Sequence, residues 1–87
     1  MTAEKIQMFE KNSHIPDEKV EVDIKETEQE LINVKEDLEN VLKTNPNHHL
    51  TIYSLEATIA QGEDFISNLK EMLEYRKTIK NQQSDDI

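Results

Sequence analysis

Residues 20–41 read VEVDIKETEQELINVKEDLENV, and their spacing decides the fold. Val20, Ile24, Thr27, Leu31, Val34, Leu38 and Val41 follow one another at intervals of 4, 3, 4, 3, 4 and 3 residues, three heptads broken only by Thr27. A mean interval of about 3.5 residues keeps such side chains on one seam of an α-helix and favours a left-handed supercoil with a partner helix. The intervening positions are mostly Glu, Asp, Lys, Gln and Asn, the makeup of a solvated face. Glu21 with Lys25, and Glu39 with Lys43, stand four apart in the order that supports a helix.

Upstream, Pro16 suits a first helical position, with Asp17 and Glu18 at the positive end of the helix dipole. The β-branched alternation of Val20, Val22 and Ile24 also fits a short extended stretch. In that case Asp23 would cap the helix and Glu26 would complete a capping box. The longer helix, 16–43, is preferred: the heptad already accounts for Val20 and Ile24, and no strand partner is evident. Downstream, Thr44-Asn45-Pro46-Asn47 is the strongest punctuation in the chain. Asn45 is expected to cap a second helix with Pro46 in its first position, giving a turn at 44–46. So short a connection sends the next helix back along the first.

The second helix, expected over 47–80, repeats the pattern. Ile52, Leu55, Ile59, Ile66, Leu69 and Leu73 share one seam, with Gly62 at the missing step. Folding the chain at Asn45 brings the seams into register. Val41 meets Ile52, Leu38 meets Leu55, Val34 meets Ile59, Leu31 meets Gly62, Thr27 meets Ile66, Ile24 meets Leu69 and Val20 meets Leu73. Gly62 is read as a point of close approach to Leu31, against the alternative that it merely weakens its helix by about 1 kcal/mol relative to Ala. The expected fold is therefore all-α: an antiparallel, coiled-coil-like two-helix hairpin over 16–80. A short helical arm (1–15) precedes it and a disordered polar tail (81–87) follows. In the arm Thr2 is a candidate cap, and Ile6, Phe9 and Ile15 are candidates to dock near Met72 and Ile79, or else the arm frays.

An 87-residue chain fits one domain whose core alone contributes little net stability. With no Cys, disulfides and thiolate metal sites are excluded for this chain, and association with another chain is the remaining remedy. Ile32, Leu42, Phe65 and Met72 lie off the shared seam, and a two-helix hairpin cannot bury a second apolar stripe. That pattern predicts an association surface and closure into an oligomeric helical bundle. Tyr75 and Arg76 are further partner-binding candidates, since Tyr and Arg are enriched at binding hot spots.

The formal net charge is −9, from 19 acidic residues against 10 Lys and Arg. It argues against direct nucleic-acid binding and against adsorption to an anionic membrane. No apolar run approaches a membrane span and the N-terminus lacks a signal-peptide layout, so a cytoplasmic location is expected. Heavy use of Lys, Asn, Ile and Glu suggests an AT-rich genome, such as that of a low-GC bacterium or its phage.

Nothing points to catalysis. His48 and His49 are adjacent and point about 100° apart on a helix, so they cannot share one ion from one face. No His-Glu-x-x-His, calcium loop, phosphate-binding loop or nucleophile elbow occurs. The carboxylates lie on a solvent face, and a two-helix scaffold is expected to lack a pocket of ~300 Å3 or more. Neither enzyme activity, cofactor nor metal is expected. The expected function is that of an adaptor or regulator that docks a protein partner on an apolar helix face. One alternative is an acidic inhibitor whose Glu26, Glu30 and Glu36 mimic nucleic-acid charge; between Asp17 and Lys43 ten acids against four lysines leave a local net of −6. The other is a structural subunit of an assembly.

Overall fold

The computed structural model describes residues 2–85, with side chains through residue 80. Three helices follow in order: α1 (Ala3–Lys11), α2 (Asp17–Thr44) and α3 (His49–Asp85). No strand occurs among the described residues.

Each helix start has a local cause. Thr2 caps α1 as expected: its backbone is extended and its hydroxyl accepts from the Lys5 N–H at 3.3 Å. Pro16 precedes α2 as its N-cap, and its carbonyl accepts from the amides of Lys19 and Val20. Residues 17–24 are thus helical, and the extended alternative is set aside. The expected cap at Asn45 is not what forms. Asn45 instead ends α2, its N–H bonding the Val41 carbonyl at 2.7 Å, and its own carbonyl accepts from the His48 N–H at 3.1 Å. Residues 45–48 therefore make a β-turn with Pro46 in its second position, where the fixed proline φ is preorganised. This turn delays α3 to His49 in place of 47. At the far end α3 continues to Asp85, since residues 81–85 carry no Gly or Pro to break it. The expected polar tail, 81–87, is thus helical through residue 85, and residues 86 and 87 lie outside those described.

α2 and α3 pack together along their lengths. Leu31 faces Gly62 and Asp17 faces Arg76, so rising numbers in α2 meet falling numbers in α3: the pair is antiparallel. A Cβ placed on Gly62 would stand 2.6 Å from Leu31 Cδ2 and 3.1 Å from its Cγ. The glycine has no positive φ; its role is close approach.

The arm is docked. Phe9 is almost fully buried and its ring lies 5.6 Å from that of Tyr75, tilted by 41°. With Val20, Ile24, Leu31, Ile66 and Met72 it forms the core, against which Ile15, Leu69, Leu73 and Tyr75 pack. The core therefore occupies the end of the hairpin where α1 lies. Toward the turn, Val34, Leu38, Val41, Ile52, Leu55 and Ile59 are only half-buried, because two helices cannot enclose a seam.

The molecule is correspondingly long, 62 × 24 × 18 Å, with a radius of gyration of 17.6 Å. A compact chain of this length would have a radius of gyration near ~12 Å.

Candidate functional site

The hairpin has two flanks, and α1 covers only one. On the covered flank Phe9, Ile15, Val20, Leu69 and Met72 enclose a small cavity of about 240 Å3, with Phe65 and Met8 at its rim. Polar contacts fasten the arm, one of them reaching around α3 to Glu71, which also borders the opposite flank. Lys5 Nζ is 2.8 Å from Glu71 Oε2, and the Tyr75 hydroxyl donates to Glu10 Oε1 at 3.3 Å. Arg76 holds the interhelix linker from both sides: Nη2 donates to the Asn12 carbonyl at 2.9 Å and Nη1 to Asp17 Oδ1 at 2.6 Å. Desolvation of the Tyr75 phenol, reinforced by the nearby Glu10 carboxylate, raises its pKa above the ordinary value. On α2, a hydrogen bond from Lys19 to Asp23, helped by their attraction, raises the Lys19 pKa.

The opposite flank is open. There the trough between α2 and α3 has a floor of Leu31 and Ile66 and a volume of about 710 Å3. Ile32, Glu28 and Lys35 wall it on α2; Glu63, Ser67, Lys70, Glu71 and Glu74 wall it on α3. Lys35 and Glu63 lie 3.5 Å apart across it. This corrects the expectation that no pocket of such size exists. A solvent-open trough needs no enclosing third layer, only two helices with nothing laid between them.

The structure separates the sequence-predicted site residues. Ile32 is 51% exposed and lies on the open flank. Leu42, also exposed, is seven residues beyond Lys35 and so continues the same side of α2. Phe65 is exposed on the covered flank, beside the arm. Met72 is no part of an exposed stripe: it is 3% exposed, roofed by Phe9 and its neighbours. The sequence stripe broke there because α1 supplies the cover that a bare hairpin lacks. Tyr75 and Arg76 are half-buried and hold the arm and linker. Glu26, Glu30 and Glu36 are all exposed on α2, where the sequence put them. Of the two expected ion pairs within α2, Glu39–Lys43 closes at 3.2 Å, whereas Glu21–Lys25 is not among those formed.

Leu50 and Tyr53, 87% and 68% exposed near the turn, are large apolar side chains outside the sequence-predicted site residues. Tyr53 follows the seam residue Ile52 by one position, as Ile32 follows Leu31, and that shared offset was the available signal. Among the described residues no three His, Asp or Glu side chains converge in a metal-binding group, and no helix is long and apolar enough to cross a membrane. No protein-family model matches the chain, and neither a curated protein nor a solved structure shows significant similarity to it.

Proposed function

We propose that this protein is a helical interaction module, an adaptor or regulator acting in the cytoplasm, whose open flank receives a helical surface of a protein partner. One observation carries the proposal. One flank of the hairpin is covered by the chain's own helix α1, and the other is a trough with nothing laid on its floor of Leu31 and Ile66. The covered flank supports the reading by an intrachain example: α1 buries an aromatic anchor, Phe9, and pairs Lys5 with Glu71 at its margin. The open trough offers Leu31, Ile66 and the exposed Ile32, continued toward the turn by Leu42 and Tyr53. A partner that brings two helices would complete a four-helix bundle and bury the half-exposed seam with coiled-coil packing.

The test is site-specific photocrosslinking in the source cells. A photoreactive phenylalanine analogue at Ile32 or Tyr53 should give a discrete adduct, and the same group at Phe65 should not. Adducts from Phe65 alone, or equal adducts from both flanks, would contradict the proposal.

The charge on α2 favours a second reading, an inhibitor that mimics nucleic acid. Glu26, Glu30, Glu36 and Asp37 are all exposed, and no ion pair engages them among the described residues. In that reading binding to a basic target weakens steeply with salt, and reversing Glu26, Glu30 and Glu36 to Lys abolishes it.

A further inference from the structure

We infer that Glu71 couples the two flanks of the hairpin: a cation brought to it from the open trough competes with Lys5 and loosens α1. The inference rests on the interaction reading above and adds a regulation of that same site.

The coupling begins with helical spacing. Successive residues of a helix point about 100° apart. Lys70 therefore walls the open trough, Met72 lies buried on the covered flank, and Glu71 stands between them on the outer side of α3. From there its carboxylate serves both flanks. It borders the trough beside Ser67 and Glu74, and its Oε2 accepts from Lys5 Nζ at 2.8 Å. Among the described residues, no other wall residue of the trough makes a polar contact with α1. Lys70, one position away, forms no ion pair with Glu71, so Lys5 is its partner.

The arm is poised to respond. At nine residues α1 keeps its helical form only while docked. Phe9 anchors its C-terminal half by burial. Lys5 lies in the first turn, where its amide bonds the Thr2 hydroxyl and its side chain ties that turn to α3. The two side chains of the pair are 40% and 39% exposed. A pair so open to water shifts a docking equilibrium by at most about five-fold. Phe9 thus decides whether the arm docks, and the Lys5–Glu71 pair tunes how often it opens.

The two states differ in one contact. With the arm docked, Lys5 engages Glu71; with the arm open, the carboxylate is free. A Lys or Arg side chain of a trough occupant meets a free carboxylate only in the open state and so favours that state. By linkage, opening of the arm strengthens the hold on such an occupant by the same factor.

The experiment places the cation in the trough by substitution. Ser67 is exposed on the trough wall, one turn before Glu71. The readout is amide exchange across Ala3–Lys11 in the full chain, with the centres of α2 and α3 as internal reference. Ser67→Lys should exchange about two- to five-fold faster in the arm than Ser67→Gln. The difference should vanish when Lys5→Gln or Glu71→Gln is added, and Glu71→Gln alone should speed the arm by a similar factor. The Cys-free chain permits a second measurement with a longer reach. Ser67→Cys carrying an aminoethyl disulfide should open the arm more than the same residue carrying a neutral methyl disulfide.

Equal exchange for cationic and neutral groups at residue 67 would overturn the inference. So would a difference that persists in Lys5→Gln, since the charge would then act elsewhere. Equal exchange alongside a discrete adduct from the Ile32 photocrosslinker would overturn the coupling alone. A lysine-dependent arm with no adduct from either flank would uphold the coupling and overturn the interaction reading.

Discussion

Leu31 and Gly62 touch: the space where a glycine Cβ would stand is occupied by the Leu31 side chain, with Cδ2 2.6 Å away. The relationship fixes how closely α2 and α3 approach and at which register. Replacing Gly by Ala inside a helix ordinarily stabilises it by about 1 kcal/mol. Overpacking a core costs about 1–3 kcal/mol. Leu31 Cγ and Cδ1 also stand within 3.1 and 3.3 Å of the Cβ position, so turning one methyl aside does not clear the space. Gly62→Ala should therefore destabilise by about 1 kcal/mol, measured by thermal or denaturant unfolding. In a Leu31→Ala background the same change should stabilise, since the obstruction is gone. Additive effects would show that the two residues do not meet.

The arm depends on Phe9. A nine-residue helix is too short to stand alone in water, so α1 persists only while docked. Truncation of a buried Phe costs about 3–5 kcal/mol. Phe9→Ala should bring amide exchange across Ala3–Lys11 close to unfolded rates while the centres of α2 and α3 stay protected. Met72 should report the same event, slow to oxidise in the parent and fast in the variant.

Arg76 should matter more than its acidic partner. Its bond to the half-buried Asn12 carbonyl is charge-assisted, a class contributing about 1.5–3 kcal/mol. Asp17 is largely exposed, and exposed pairs contribute about 0–1 kcal/mol. Arg76→Ala should thus lower stability by about 1.5–3 kcal/mol and Asp17→Asn by less than about 1 kcal/mol. The reverse order would show that the linker carbonyl is not held.

Tyr75 should titrate above the ordinary phenol range near ~10. A raised pKa means that the folded state holds the phenolic proton more tightly than the unfolded state does. The contribution is then complete below the unfolded pKa and is lost as pH rises through the folded one. Lys19, also raised, behaves alike. Stability should therefore fall on the alkaline side, and part of that fall should vanish in Tyr75→Phe. With Tyr53→Phe leaving one phenol, the absorbance titration should give a midpoint above the ordinary value that drops when Glu10 becomes Gln. A midpoint that Glu10→Gln leaves unmoved would contradict the contact.

What the sequence disclosed follows from what periodicity encodes. Heptad spacing locates a seam, so the opposition of Leu31 and Gly62, the helical state of Val20 and Ile24 and the antiparallel return were all legible. So was the Thr2 cap, a purely local feature. Periodicity does not say on which flank an arm lies after an irregular linker, so the burial of Met72 and the separation of Ile32 from Phe65 were not legible. Pro46 fits a first helical position and the second position of a turn equally well; the carbonyl of Asn45 decides between them by bonding His48. The trough was not legible because it is an open channel between two helices, and periodicity does not say which flank stays bare.

The most direct test of the central claim, an antiparallel hairpin closed on one flank by its own arm, is an intrachain nuclear Overhauser spectrum. The sample is isotopically dilute, so that only contacts within one chain appear. Cross-peaks from the Leu31 methyls to the Gly62 α-protons, and from the Phe9 ring to the Met72 methyl and the Tyr75 ring, are predicted, with none from Phe9 to Ile32. Leu31 methyls silent toward Gly62, or a Phe9 ring in contact with Ile32, would contradict the account.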